Sequence, residues 1–209
     1  MKITEWEQFL QFDDILHMPT VMMNILTGDR TVRDDLFREA IRLHHGDLSY
    51  DWFIEIYMEE LCKRKENKQE FTPPEVSALV SMIAGADHCS FHEPTAGTGG
   101  LLIHSWWEKA RQCHPSLFKP SSFIVSCWEL TERSIPFLLF NLAIRGIMGE
   151  VFHGDVLERT VKARYVLLNE RDDALAFSEI VRDDNFTKHP TVECARPVSG
   201  KNIQPALFD

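Results

Sequence analysis

The sequence has no apolar run approaching the roughly 18 residues of a membrane-spanning helix, and its first residues lack a secretory signal pattern. Its five cysteines, at positions 62, 89, 113, 127 and 194, include no Cys-x-x-Cys pair. Its nine histidines are scattered, and none has the spacing of a metal site. We therefore expect a cytoplasmic protein with free thiols and no bound metal.

A surplus of basic residues is also missing. The chain has 22 Lys and Arg residues against 32 Asp and Glu residues, which gives a formal net charge of −10. Proteins that grip DNA alone usually present a basic face, because neutralising phosphates supplies most of the nonspecific affinity. The basic cluster at 63–68 is flanked by acids. We expect any action on nucleic acid to depend on a basic partner.

Two phosphate-binding signatures are absent, the Gly-x-Gly-x-x-Gly of dinucleotide sites and the Gly-Lys-Ser/Thr of triphosphate sites. The sequence instead has His92–Gly100, with an acid, a proline and three glycines, followed by an apolar run at 101–103. This pattern predicts a strand, a tight loop and the start of a helix. Glycine at positions 97 and 99 would let the backbone approach a ligand closely, since a side chain there would block it.

Strand and helix patterns alternate along the rest of the chain. We predict strands at 90–93, 122–129, 151–153 and 163–168, helices at 101–112 and 136–144 between them, a helix at 173–181 and a short strand at 192–194. The predicted fold is α/β, a Rossmann-like doubly wound parallel sheet truncated after about four or five strands, with an N-terminal helical subdomain. The predicted units are a helical subdomain at 1–68, the α/β core at 69–195 and a flexible tail at 196–209.

The helical subdomain has its own start and stop signals. Thr31 is expected to cap a helix that ends at His45 before Gly46, and an aromatic stripe that includes Trp52, Phe53 and Tyr57 is expected to pack in the core. At 72–75, Thr72 and Glu75 form a capping box with Pro73 at the first helical position.

Polar residues end each of the four predicted strands: Glu93, Glu129, Asp155 and Asn169. In a parallel sheet the carboxyl ends of the strands meet at one edge, where ligands bind. We therefore expect these four side chains to converge on one crevice. For Glu129 and Asp155 the alternative is an acid that caps a helix or is simply solvated.

The segments around these residues resemble one family in order and spacing. They are the helix before Glu70–Pro73, the loop Glu93–Gly100, Trp128–Leu130, Asn141–Gly146 and Gly154–Leu157. Together they resemble the modification (methyltransferase) subunit of type I restriction systems, within the amino-methyltransferases that act on adenine in DNA. The resemblance covers residues 50–169 and implies S-adenosylmethionine as the cofactor.

The resemblance also implies roles for individual residues. Phe71, Thr72 and Pro73 would flank the methionine end of the cofactor, and Glu129 would accept the ribose hydroxyls. Asp155 would bind the adenine edge. The full set implied in cofactor binding is Phe71, Thr72, Pro73, Glu93, Pro94, Thr95, Gly97, Thr98, Gly99, Glu129 and Asp155.

The sequence departs from the family after the fourth predicted strand. The family has Asn (or Asp)-Pro-Pro-aromatic there, which orients the target amine and stacks on the flipped base. Asn169 occupies the first position as the candidate catalytic residue, but Glu170 and Arg171 replace the prolines and Asp172 replaces the ring. The loop loses its fixed φ values and its stacking ring, so we predict that the chain alone does not methylate DNA.

Three functions stay open on the sequence. The first is a protein derived from a DNA adenine methyltransferase, plausibly encoded on a mobile element, that binds S-adenosylmethionine with lost or altered catalysis. The second is a working methyltransferase that uses Asn169 while partner or specificity subunits supply the DNA contacts. The third is a non-enzymatic interaction module. Its tail, with Gln204, Leu207 and Phe208, resembles the short peptide that docks on bacterial sliding clamps.

Overall fold

The computed structural model describes residues 3–58, 72–84 and 89–183. Its helices are α1 (Ile3–Leu10), α2 (Met18–Leu26), α3 (Arg30–Leu43), α4 (Ile54–Ile56), α5 (Pro74–Ala84), α6 (Gly100–Ala110) and α7 (Ile135–Ile144). Its strands are β1 (Ser90–Glu93), β2 (Ile124–Glu129), β3 (Met148–Asp155), β4 (Thr160–Leu168) and β5 (Glu179–Asp183). Within the described ranges, no helix has the length and apolar character that a membrane crossing needs.

Some predictions lie outside the described residues. These are both boundaries between predicted units, at 68/69 and 195/196, and the predicted strand at 192–194. The same holds for Phe71 and for the tail residues Gln204, Leu207 and Phe208.

The five strands form one open sheet in the order β1-β2-β3-β4-β5. β1, β2 and β3 are parallel, as predicted, and helices α6 and α7 connect them. The α/β class with an open sheet is thus confirmed. The expectation that the fourth strand continues the parallel sheet is wrong, because β4 runs antiparallel to β3.

The length of the connection explains the direction of β4. The strand begins at Thr160, earlier than predicted, and Thr160 pairs with Asp155 across a short turn. A parallel crossover needs a dozen or more residues, whereas a hairpin needs only a few. Residues 156–159 therefore allow only an antiparallel return.

The predicted helix at 173–181 is also wrong. Asp173 accepts hydrogen bonds in a turn, from Leu175 N at 2.9 Å to its side chain and from Ala176 N at 3.0 Å to its carbonyl. The following residues form β5, which pairs antiparallel with β4. Pairing with β4 therefore overrides the weak helical pattern of this segment.

The N-terminal helices and the sheet share one hydrophobic core. Phe140 of α7 lies at its centre, with ring centroids 4.9 Å from Phe37, 5.1 Å from Phe53 and 6.0 Å from Trp6. The expectation that the aromatic stripe packs in the core is confirmed, since Trp52, Phe53 and Tyr57 are all buried. The helical segment is therefore packed onto the helix that follows β2.

Two helix starts differ from prediction by one or two residues. The side chain of Asp29, not Thr31, caps α3, accepting from Thr31 N at 2.8 Å and Val32 N at 3.1 Å. α5 begins at Pro74, one residue after the predicted Pro73. The predicted stop is confirmed, because Gly46 has a positive φ of 76° just beyond α3.

One side of the described fold stays uncovered. β1 pairs with β2 alone among the described strands, which leaves its other edge without a partner strand. α5 exposes apolar side chains that include Leu79 at 56%, Met82 at 73% and Ile83 at 78%.

Candidate functional site

The loop after β1 turns sharply at its glycines. Gly97 has φ 58° and Gly99 has φ 99°, a region that residues with a Cβ rarely adopt. Ala96 N donates to Trp128 O at 2.8 Å, which ties the loop to the end of β2, and Gly99 N donates to Ala96 O at 2.8 Å. Gly99 then precedes α6 without any side-chain cap. The first amides of that helix are therefore open toward the loop.

Glu129 fixes this loop from the neighbouring strand. Its side chain is 8% exposed, and its two oxygens accept hydrogen bonds from Gly97 N at 2.9 Å and Thr131 N at 2.7 Å. An ionised carboxylate offers about four lone-pair positions, so two remain for a ligand. The acid therefore positions the loop and keeps acceptor capacity.

The loop, both acids and the start of α6 surround a cleft of about 250 Å³, called here the glycine-loop cleft. Its lining residues are Ile54, Thr72, Glu93, Thr95, Ala96, Gly97, Gly100, Leu101, Glu129, Leu130 and Thr131. The structure thus brings together five predicted site residues: Thr72, Glu93, Thr95, Gly97 and Glu129. Pro94 and Gly99 belong to the same loop without lining the cleft, and Pro73 follows Thr72 at the start of α5.

A second cavity of about 280 Å³ adjoins this cleft and shares Ile54, Thr72 and Gly100 with it. It extends toward Asp51 and His104. The residues that line the two volumes extend from the end of β2 to the N-terminal segment.

Burial shifts the pKa values of ionisable groups in and behind the cleft. Burial raises the pKa of Glu93, and a hydrogen bond from the Thr95 backbone partly offsets that shift. Burial also raises the pKa of the Cys127 thiol, and the nearby charges of Glu93 and Glu129 add to this shift. Cys127 therefore stays a neutral thiol behind the two acids, and it acts as a core residue.

A buried hydrogen-bond network holds the back of the glycine loop. Thr98 is fully buried and its hydroxyl donates to Asp51 Oδ2. Asn141 Nδ2 donates to Asp51 Oδ1 and to Thr98 O, both at 2.8 Å, and Phe53 N donates to Asp51 Oδ1 at 2.9 Å. Burial raises the pKa of Asp51, while Thr98, Phe53 and Asn141 act against that rise. Thr98, a predicted cofactor residue, thus anchors the loop from behind.

Arg145 extends the same network to the N-terminal segment. It donates to Leu48 O at 2.9 Å, to Tyr50 O at 2.6 Å and to Asn141 Oδ1 at 3.0 Å. Burial lowers the pKa of Arg145 to about 10, and the charge of Asp51 acts against the fall. The guanidinium stays charged at neutral pH, so a buried cation and a buried acid stabilise each other through Asn141.

Sequence reasoning did not single out Asp51, Asn141 or Arg145 as site residues. Asn141 and Arg145 did carry a signal, because they are polar residues four apart at the end of an apolar helix and so lie on one face. Asp51 carried none, since its partners come from segments distant in sequence.

Asp155 lies at the same edge of the sheet but makes turn contacts. Its Oδ1 accepts from Leu157 N at 2.9 Å and Glu158 N at 3.1 Å, at the start of the β3–β4 hairpin. It does not line the glycine-loop cleft. Its role toward an adenine ring stays a prediction, and the described contacts match the alternative of a capping acid.

Asn169 does not join the crevice. β4 is antiparallel, so its carboxyl end lies at the opposite edge of the sheet from Glu93 and Glu129. The predicted convergence of four polar groups is therefore wrong for Asn169. Its side chain is 3% exposed and lines a separate surface pocket of about 480 Å³ together with Arg30 and Arg38.

The hydrogen bonds of Asn169 are structural. Its Nδ2 donates to Asp173 O at 2.9 Å, to Ala176 O at 3.2 Å and to Gly146 O at 3.3 Å, and its Oδ1 accepts from Asp173 N at 3.2 Å. These contacts close the loop between β4 and β5 onto the end of α7. A catalytic role for Asn169 remains a prediction that the described geometry does not favour.

Comparison with known proteins identifies a family. No curated protein and no solved structure matches the chain. The family model described as N-6 DNA Methylase matches residues 44–188, which is more than half of the chain and spans the glycine-loop cleft, the buried network and the five strands. The chain therefore belongs to the N-6 DNA methylase family.

Proposed function

We propose that the chain binds S-adenosylmethionine in the glycine-loop cleft and that, alone, it has lost methyl transfer to DNA adenine or retains little of it. The observation that carries this proposal is the separation of two groups of residues. The loop, Glu93 and Glu129 surround one cleft at the carboxyl edge of the parallel strands. Asn169, the candidate catalytic residue, lies at the other edge with its amide engaged in structural contacts.

The residues of the cleft fit this cofactor. S-adenosylmethionine carries an ammonium and a sulfonium, and two acids line a cleft that contains no Lys or Arg among its described residues. Glu129 retains acceptor positions for the ribose hydroxyls after binding Gly97 N and Thr131 N. The positive φ of Gly97 brings backbone to the floor of the site. The adjoining cavity beside Thr72 offers room for the methionine end.

The bound cofactor would supply an electrophilic methyl group. The residues of this chain would bind the cofactor and hold its charge, with Glu93 and Glu129 as anions and the loop backbone as the floor. Transfer also requires a group that orients the exocyclic amine of adenine. Among the described residues of the cleft, the predicted group for that task is missing, which supports binding without turnover.

Calorimetric titration with S-adenosylmethionine tests the proposal. The native chain should bind, and Glu129→Gln should weaken binding about tenfold or more, since a charge-assisted acceptor is worth roughly 1.5–3 kcal/mol. Glu158→Gln is the matched control, because Glu158 is an exposed acid in the β3–β4 turn outside the cleft. Absence of binding by the native chain, or equal loss in both variants, would contradict the proposal.

A working methyltransferase completed by partner subunits is the second candidate. The outer edge of β1, which has no partner among the described strands, and the exposed Leu79, Met82 and Ile83 of α5 favour it, because a partner could add a strand or cover the helix. The resemblance to type I modification subunits makes a specificity subunit of a restriction-modification system the first partner to try. Labelled methyl transfer to DNA by the pair, absent with either protein alone and lost in Glu129→Gln, would support it. No transfer by the pair would count against it.

A third proposal concerns the tail, which lies outside the described residues. Gln204, Leu207 and Phe208 match the spacing of sliding-clamp peptides, and a leucine and a phenylalanine are suitable anchors for an apolar pocket. A pull-down with purified bacterial clamp should recover the native chain and lose the Leu207→Ala/Phe208→Ala variant. Full binding by that variant would reject the tail as the anchor.

A further inference from the structure

Another pocket, distinct from those described above, is lined in part by the loop that follows β2. It has a volume of about 540 Å³ and is enclosed by α2, by the residues that lead into α7, and by β3, β4 and β5. It shares no residue with the glycine-loop cleft. We call it the basic pocket, and its volume falls within the range of about 300–1,000 Å³ that small-molecule sites occupy.

The charge of this pocket is opposite to that of the whole chain. Arg133, Lys162 and Arg182 line it with Glu132 as the one acid, in a chain of net charge −10. Neither Arg133 nor Lys162 has an ion-pair partner within the described part of the chain. Arg133 and Lys162 carry like charges in one pocket, so an anionic ligand between them would lower the energy of this site.

A buried histidine with an unsatisfied nitrogen belongs to the pocket wall. His153 is 9% exposed, and its Nε2 has no hydrogen-bond partner among the described residues. Nε2 is itself buried, so the imidazole forms part of the wall of the pocket.

The pKa of His153 responds to the charged residues that line the pocket. Burial lowers its pKa, and the charges of Lys162 and Arg182 lower it further, whereas Glu132 raises it. Lys162 on β4 and Arg182 on β5 therefore lie close enough to the imidazole to lower its pKa.

Part of the remaining wall is apolar. Pro19 and Met23 of α2 face the strands across the pocket, and Pro136 closes the side toward α7. We propose that the basic pocket binds a small organic phosphate, with Arg133 and Lys162 holding the phosphate, and Pro19 and Met23 packing on the organic part. A phosphate offers up to two charges and three acceptor oxygens for this set, and the pocket is larger than a phosphate alone requires.

The test uses phenyl phosphate and AMP as probes in calorimetric titrations of the full chain. Both should bind, while phenol and adenosine, which lack the phosphate, should bind at least about tenfold more weakly. Arg133→Gln and Lys162→Gln should each weaken phenyl phosphate about tenfold, and Arg111→Gln, a surface arginine paired with Glu108, should not. Equal affinity in all three variants would overturn the proposal.

Further experiments distinguish binding in the basic pocket from binding in the glycine-loop cleft and from a nucleic-acid contact. Saturating S-adenosylmethionine and the Glu129→Gln variant should leave phenyl phosphate binding unchanged, and a short single-stranded oligonucleotide should not compete. The imidazole NMR signal of His153, assigned with His153→Asn, should shift on addition of phenyl phosphate. Displacement by S-adenosylmethionine would locate the probe in the cleft, and displacement by the oligonucleotide would make the pocket a nucleic-acid contact. Either result would overturn the proposal.

Discussion

The two edges of the sheet use similar polar residues for different purposes. At the carboxyl edge of the parallel strands, Glu129 accepts two backbone hydrogen bonds and still faces a cleft. At the opposite edge, the Asn169 amide donates hydrogen bonds to the backbone carbonyls of Gly146, Asp173 and Ala176. The first edge borders a cleft, whereas the loop between β4 and β5 packs over the second.

This difference shows that strand direction decides what a strand-end residue can do. Asn169 follows its strand as Glu129 follows β2, and in sequence the two look equivalent. Because β4 returns antiparallel, the two side chains lie a strand length apart. The following predictions test whether the carboxyl edge acts as a ligand site and the other edge as part of the fold.

The largest effect is expected at the network behind the loop. Asp51→Ala would leave Arg145 without its acid, would leave the Thr98 hydroxyl without its acceptor and would remove one of the two acceptors of Asn141 Nδ2, at a cost of about 3–5 kcal/mol in the free energy of unfolding. S-adenosylmethionine affinity should fall as well, because the loop loses its anchor. Urea denaturation and calorimetry measure the two effects, and Asp51→Asn should show smaller losses in both. Unchanged cofactor affinity in a folded Asp51→Ala protein would separate the network from the site.

Acid should weaken the fold through the same region. His44 stacks on Trp52 at 3.9 Å, and burial lowers its pKa from 6.5 to about 4. Between these values the unfolded chain binds the proton and the folded chain does not, so stability falls as pH falls through that window. At about 1.4 kcal/mol per pKa unit the loss approaches about 3 kcal/mol. Urea denaturation across the window should show it, and His44→Phe, which keeps the stack, should flatten the dependence. An equally steep dependence in that variant would assign the effect to other groups.

Asn169→Ala should cost about 2 kcal/mol of stability, because it leaves buried carbonyl and amide groups of the loop unsatisfied. The affinity for S-adenosylmethionine should not change, since the residue lies at the far edge. Glu170→Gln, at the exposed neighbour, is the control and should alter neither quantity. If Asn169→Ala weakens cofactor binding in a protein that remains folded, the two edges are not independent.

The smallest effect is expected for Glu93→Gln. Because burial raises the pKa of Glu93, its negative charge is lost at a higher pH than usual on acidification, and affinity for the cationic cofactor should fall with it. The contribution of Glu93 to stability has the opposite sign, since the folded state takes up this proton more readily than the unfolded state. Glu93→Gln should therefore bind slightly more weakly at neutral pH, with a flatter pH profile and no loss of stability. A titration series over pH distinguishes this result from a purely structural role.

Much of the parallel half could be predicted from the sequence because its signals are local. β1 has the predicted bounds, and α7 differs from its prediction by one residue at its start. The cleft followed from the rule that strand ends of a parallel sheet meet. The antiparallel return of β4 was also encoded, in the shortness of the 156–159 connection, but the strand was predicted to begin three residues too late to reveal it.

The buried network could not be predicted in the same way. Asp51 meets Thr98 and Asn141 only after the N-terminal segment packs on α7, and no local pattern marks such a meeting. The basic pocket has the same origin, since Lys162, Arg182 and Arg133 come from two strands and a loop. Sequence motifs identify residues that lie close together in the chain. The buried network and the basic pocket instead combine residues that are distant in sequence.

The β3–β4–β5 meander has a consequence for the order in which the chain folds. Its strands pair with their sequence neighbours through connections at 156–159 and 169–178, neither of which contains a helix, so less loop entropy is lost when they meet than in a parallel crossover. The parallel pairs β1–β2 and β2–β3 form only after the intervening helices have crossed the sheet. We expect hydrogen exchange during refolding to protect the meander first and the cleft last, so that the chain would acquire its ligand site only in the final step.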